Sequence, residues 1–155
     1  GLLANFLGTN RRFQIKGEKN GITVVDDYAH HPTEIKSALE GARRFYKDKK
    51  IIVVFEPHQY SRTFLLKKEF GSAFGNADLV IIPDIYSIRD TEEDREKITA
   101  QDLVDEINSN GVEAIYVPGY NKVVEYLNNN IKKDSVIMTV GASNVYKIGE
   151  EYLRK

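Results

Sequence analysis

Four short runs, each apolar at nearly every position, constrain this chain more than any other feature. They are Ile51-Ile52-Val53-Val54-Phe55, Leu79-Val80-Ile81-Ile82, Ala114-Ile115-Tyr116-Val117 and Val136-Ile137-Met138-Thr139-Val140. Successive side chains of a strand point to opposite faces, so a half-solvated strand alternates apolar and polar residues. A strand apolar on both faces must be covered twice, which is the mark of a parallel sheet between two helical layers. The stretches between the runs carry the helical period. Ile35, Leu39, Ala42 and Phe45 follow Pro32, a residue suited to a first helical turn. Leu66, Phe70, Ala73 and Ala77 mark a second helix, and Thr99 with Asp102 forms a capping pair ahead of Leu103, Val104 and Ile107. Val123, Val124, Leu127 and Ile131 mark a fourth, and Val145, Ile148 and Tyr152 a last. The polar stretch from Arg89 to Glu96 reads as an exposed loop.

The N-terminal part has a different rhythm. Arg12–Lys16 and Ile22–Asp26 flank a segment ending in Asn20-Gly21, a strong turn signal, and read as an antiparallel hairpin. The expected fold is therefore a three-layer α/β/α, Rossmann-like single domain. Its mixed sheet has about six strands, mostly parallel, with one antiparallel edge strand contributed by the hairpin. At 155 residues the chain is long enough to bury a core without covalent staples.

Composition then removes several function classes. With 22 Lys+Arg against 23 Asp+Glu, nothing attracts nucleic acid or a membrane surface in general. No stretch approaches the roughly 18 apolar residues of a spanning helix, and no secretory signal is visible. The chain has no cysteine, so it has no disulfide, thiolate metal site or cysteine nucleophile, which fits a reducing, cytoplasmic setting. It opens at Gly1 and its one methionine is Met138, which reads as a piece of a longer protein.

Ligands of open α/β sheets sit beyond the carboxyl ends of the strands. That rule selects Asp26-Asp27-Tyr28-Ala29-His30-His31-Pro32-Thr33-Glu34, then Glu56-Pro57-His58-Gln59-Tyr60-Ser61-Arg62-Thr63, then Pro83–Ser87 and Gly141–Asn144. All three histidines of the chain fall in the first two loops. Each loop runs into a helix start, where free N–H groups favour anions, and Arg62 could hold a carboxylate or phosphate as a fork. Plainer readings stand beside these. Asp26 and Asp27 could end a strand and cap a helix. Arg11, Arg12 and Arg62 could be surface arginines, and Tyr28, Tyr60 and Tyr86 packing aromatics. Asp27, His30, His31 and His58 could form a metal site, although no fixed ligand spacing on one element supports it. No phosphate-binding glycine loop, dinucleotide fingerprint or nucleophile elbow occurs.

The first two loops, in this order and with Arg11-Arg12-Phe13 before the hairpin and Asp84-Ile85-Tyr86 after the fourth strand, resemble the Mur ligase family over almost the whole chain. The resemblance implies that residues 1–155 are the C-terminal domain of a three-domain ligase, whose UDP-binding and central ATPase domains lie outside this chain. It implies ATP and Mg²⁺, the metal held mainly by the central domain. It also implies an acyl-phosphate mechanism in which an amino acid's amine displaces phosphate from an activated carboxylate. The sequence His58-Gln59-Tyr60-Ser61-Arg62 resembles the branch that adds L-alanine to UDP-N-acetylmuramate, rather than the branch that recycles murein tripeptide. A non-catalytic ligand-binding module is the alternative of another class.

By the same resemblance, Arg12 and Asp27 reach the nucleotide, Tyr28, His30, His58, Arg62 and Tyr86 line the substrate site, and His30 and Arg62 serve the chemistry. Arg62 would clamp the amino acid's carboxylate. Two positions depart from the family's pattern: Gln59 stands where an arginine is usual, and Ser143-Asn144 where glycine-aspartate is usual.

Overall fold

The computed structural model describes residues 11–155, so the opening at Gly1 lies outside the described residues. The hairpin is β1 (Gln14–Lys19) and β2 (Ile22–Asp27). Its turn residues both have positive φ, 53° at Asn20 and 78° at Gly21, as the twist-matched two-residue turn requires. Along the chain follow α1 (Pro32–Phe45), β3 (Lys50–Phe55), α2 (Tyr60–Leu65), α3 (Lys67–Gly71), β4 (Leu79–Ile82) and α4 (Glu92–Lys97). Then come α5 (Ala100–Ser109), β5 (Ala114–Tyr116), α6 (Tyr120–Asn130), β6 (Ser135–Val140) and α7 (Tyr146–Arg154).

The sheet runs β1-β2-β6-β3-β4-β5, with β1 antiparallel to β2 and every other pairing parallel. The last strand enters the middle. Ser135–Val140 pairs with Ile22–Asp27 on one side and Lys50–Phe55 on the other. That double register lines up Asp27, Val140 and Phe55 at one edge, so the loops after three strands leave from the same place.

The doubly apolar runs are divided between two cores, as their pattern requires. Ile51, Val53 and Phe55 face α1, α3 and α5 through Ile35, Leu39, Phe70, Leu103 and Ile107. Ile52 and Val54 face α6 and α7 through Val123, Leu127, Ile148 and Tyr152. On the second side α7 presses onto the sheet at Gly149, where a Cβ would come within 2.8 Å of Val24 Cγ1.

Two local expectations change. The Leu66–Ala77 pattern is not one helix: α2 ends at Leu65, α3 stops at Gly71, and Phe70, Ala73 and Phe74 are buried from a broken path. Gly71 and Gly75 weaken any continuous helix there. The stretch expected as a loop at Arg89–Glu96 instead contains α4, none of whose residues is buried. Thr91 caps Asp94 N and Asp94 caps Thr91 N, so a reciprocal cap organises an exposed helix without a core-facing stripe.

Candidate functional site

At the β2 end, two adjacent acids have different tasks. Asp26 is 1% exposed; its carboxylate takes Arg11 Nε at 2.8 Å and the Thr139 hydroxyl at 2.7 Å. Asp27 accepts the backbone N–H groups of Phe13 and Ala29, each at 2.9 Å. Burial pushes the Asp27 carboxyl up, against those two N–H groups. Asp27 borders a cleft of about 360 Å³ with Arg12, Ala29, Thr33, Glu34, Ser37 and Ala38. Arg12 is exposed and has no hydrogen-bond or ion-pair partner among the described residues. An uncommitted guanidinium and a carboxylate on one cleft suit a ligand that carries both anionic and hydroxyl groups.

The next residues are tied to the start of α1. Glu34 Oε1 accepts the backbone N–H of His30 and of His31, both at 3.1 Å. Burial opposes ionisation of Glu34, but these two bonds and the charges of His30 and Arg12 prevail and hold its carboxyl down. His30 Nδ1 lies 3.2 Å from the Tyr28 carbonyl and 3.5 Å from Glu34 Oε1, and its ring meets that of Tyr28 edge-on at 5.4 Å. Tyr28 is exposed and takes the Arg11 guanidinium over its ring at 5.1 Å. His31 turns away: its Nδ1 accepts Thr33 N at 3.2 Å, and it borders a separate hollow between α1 and α3. Among the described residues no three metal-ligating side chains converge, so the three histidines do not form a metal cluster.

The second loop is laced to the third. Gln59 N donates to the Tyr86 carbonyl at 2.7 Å, and Tyr86 N donates to the Pro57 carbonyl at 2.8 Å. The His58 and Tyr86 rings stack at 5.3 Å. Burial lowers the His58 pKa, and the charges of Arg62 and His30 lower it further, against the charge of Asp90. Arg62 is half-buried and has no hydrogen-bond or ion-pair partner among the described residues. Gln59 has φ 74° and its Nε2 donates to the Ile88 carbonyl at 3.0 Å. The departure at this position therefore supplies a loop contact in place of a free charge. Tyr60 packs against the core.

Three residues without a sequence-assigned role prove central. Arg11, not Arg12, is the structural arginine. It bonds Asp26, donates to the Gly141 carbonyl at 2.9 Å and the Ser143 carbonyl at 3.0 Å, and lies against the rings of Tyr28 and Tyr146. Glu56 is buried and its Oε1 accepts the hydroxyls of Tyr120, at 2.7 Å, and Ser143. Asp90 accepts Tyr60 N at 2.9 Å and Ser61 N at 3.1 Å, so the first free N–H groups of α2 are taken by a carboxylate of the chain itself. That corrects the expectation of an open anion site at this helix start. The α4 cap beginning at Thr91 was the available sequence signal for an ordered segment beside Asp90; Arg11 and Glu56 lie in segments the sequence singled out, but nothing local showed their contacts.

The family model described as Mur ligase, glutamate ligase domain, matches residues 11–143. The UDP-N-acetylmuramate–L-alanine ligase of Caldanaerobacter subterraneus subsp. tengcongensis is 44% identical over 153 residues, covering 99% of this chain and 33% of that protein. The crystal structure of the UDP-N-acetylmuramate-alanine ligase MurC from Thermotoga maritima superposes with a TM-score of 0.74 at 26% identity, covering 93% of this chain and 29% of that one. A murein peptide ligase from Psychrobacter arcticus shares the fold at TM-score 0.74 and 19% identity, over 93% of this chain and 29% of that one. The chain thus spans about one third of the length of the curated relatives it matches.

Proposed function

The chain belongs to the Mur ligase family, and from that premise we propose that it is the C-terminal domain of an ATP-dependent ligase that adds L-alanine to UDP-N-acetylmuramate. ATP, Mg²⁺, the nucleotide sugar and the two further domains of the ligase are its partners in this reading, and the cytoplasm is its compartment. In this reading Mg²⁺ is held mainly by the ATPase domain.

The observation that carries the reading is that two guanidiniums, Arg12 and Arg62, flank one sheet edge with no partner among the described residues. Arg11, the neighbour of Arg12, is instead engaged with Asp26 and with the carbonyls of Gly141 and Ser143. In the reading Arg12 meets nucleotide phosphate and Asp27 accepts ribose hydroxyls. Arg62 clamps the amino acid's carboxylate, with His58 stacked on Tyr86 as the wall beside it. His30 and Tyr28 stand where the acyl phosphate and the amine meet. The chemical step forms the amide C–N bond and breaks the acyl C–O bond to phosphate. Phosphate leaves with one ammonium proton and solvent takes the other. Holding two reactants together and neutralising developing charge are the main contributions such a site can make.

Arg62→Ala in a full-length ligase carrying this chain tests the clamp. Loss of a charge-assisted fork should lower kcat/KM for the amino acid by about 100-fold or more, with the unfolding temperature held. Wild-type kinetics in a folded Arg62→Ala enzyme would remove Arg62 from the site.

A further inference from the structure

Glu56 leaves β3 just before Pro57-His58 and is 5% exposed. Burial pushes its carboxyl up, as does the Asp84 charge, against the hydrogen bonds from Ser143 and Tyr120. An apolar side chain of similar size would fill this space without that penalty. Where a buried charge is kept, fixing one arrangement is a better account than added stability.

The contacts around Glu56 show what is fixed. Its Oε1 receives the Ser143 hydroxyl, and Ser143 and Gly141 give their carbonyls to Arg11, which is bound to Asp26. Gly141 sits so close that a Cβ would lie 3.1 Å from the Glu56 carbonyl oxygen. On the other side Pro57 and Gln59 are laced to Tyr86. One unbroken chain of contacts therefore runs from Asp26, beside the Arg12–Asp27 cleft, through the last loop to Glu56 and on to His58 and Tyr86.

We propose that Glu56 is a positioning residue. Through Ser143 it holds the Gly141–Ser143 loop, and with it Arg11 and the nucleotide half of the site, in register with the His58–Arg62–Tyr86 half. This rests on the ligase reading for its catalytic consequence, but not for the link itself.

Two measurements test it. In a full-length ligase carrying this chain, Glu56→Leu should lower kcat/KM roughly 10- to 100-fold, with KM raised for both ATP and the amino acid, because small displacements of positioned groups are costly. Glu56→Gln keeps an acceptor oxygen for both hydroxyls and should stay within about threefold of wild type. In the chain itself, Glu56→Leu should speed amide hydrogen exchange at Gly141–Asn144 by about tenfold or more, leaving the central strands protected, and Glu56→Gln should not.

Unchanged kinetics in Glu56→Leu would overturn the proposal. So would a Glu56→Gln enzyme as impaired as Glu56→Leu, since the charge itself would then be used, or impaired kinetics without faster exchange in the loop. If Glu56→Leu does not fold, Ser143→Ala severs the same link and must show the same loop opening. If the wild-type ligase releases no phosphate with any amino acid, the ligase reading fails on its own. The exchange rates then decide the link: faster exchange upholds it, unchanged exchange overturns it.

Discussion

Glu56 illustrates how a single residue's ionisation reports on its surroundings. Its carboxyl is pushed above the ordinary value of 4.5, chiefly by burial. An acid with a raised folded-state pKa penalises folding when ionised: the penalty is full above the folded pKa and vanishes below the unfolded one. Glu56→Gln should therefore raise the stability of the chain at pH 7 to 8. The gain should shrink as pH falls and disappear below about pH 4.5. Urea unfolding of both proteins across that range checks it; a pH-independent difference would mean that the carboxyl is not destabilised by burial. At this scale the sequence was half legible. The histidines, Arg62 and Asp27 could be singled out as candidates because their residue types are rare or charged and fall in the loops that α/β geometry selects. The roles of Arg11 and Glu56 could not be read, because the loop carbonyls that Arg11 bonds are 130 and 132 residues away and the hydroxyls on Glu56 are 64 and 87 residues away, and no local spacing encodes such contacts.

Among the elements, α2 depends on a neighbour. It has six residues and no side-chain cap of its own, and Gln59 before it holds a positive φ. Its first N–H groups are satisfied by Asp90, itself steadied by the Ser87 hydroxyl and by Arg95, which donates to its carbonyl. Burial works against the Asp90 charge, but the N–H groups of Tyr60 and Ser61 prevail and hold its carboxyl below the ordinary 3.8. Its contribution is therefore kept above that value and lost as pH falls through the lower folded one. Asp90→Ala should cost about 1–2 kcal/mol, as loss of a helix cap does, and raise KM for the amino acid because Arg62 rides on α2. A stability unchanged in thermal unfolding at pH 7 would contradict the capping role. The elements themselves were legible where the pattern was strong: doubly apolar runs became central strands, and Thr99 with Asp102 capped α5. Short helices were not. The apolar spacing from Leu66 to Ala77 is met equally by two turns and a bend, and α4 buries nothing that would mark it.

For the whole molecule, the position of β6 matters most. Inserting the last strand between β2 and β3 brings the Gly141–Asn144 loop between the two halves of the site. Sequence periodicity contains no information on strand order, so this part of the architecture could be read only in three dimensions. The layers and the mixed sheet, in contrast, follow from the apolar pattern and the Asn20-Gly21 turn. In the proposed reading, two sets of positioned charges without a phosphate-binding loop make half of a ligase site. The chain on its own should therefore release no phosphate from ATP, with or without L-alanine, and alanine-dependent release would contradict the division of labour proposed here. No described helix is long and apolar enough to cross a membrane. The most direct measurement is phosphate release by a full-length ligase carrying this chain, given ATP, Mg²⁺ and UDP-N-acetylmuramate, with and without L-alanine. Release that requires both the nucleotide sugar and L-alanine is the predicted result. Release with L-alanyl-γ-D-glutamyl-diaminopimelate but not L-alanine, or no release from a folded enzyme, would contradict the assignment.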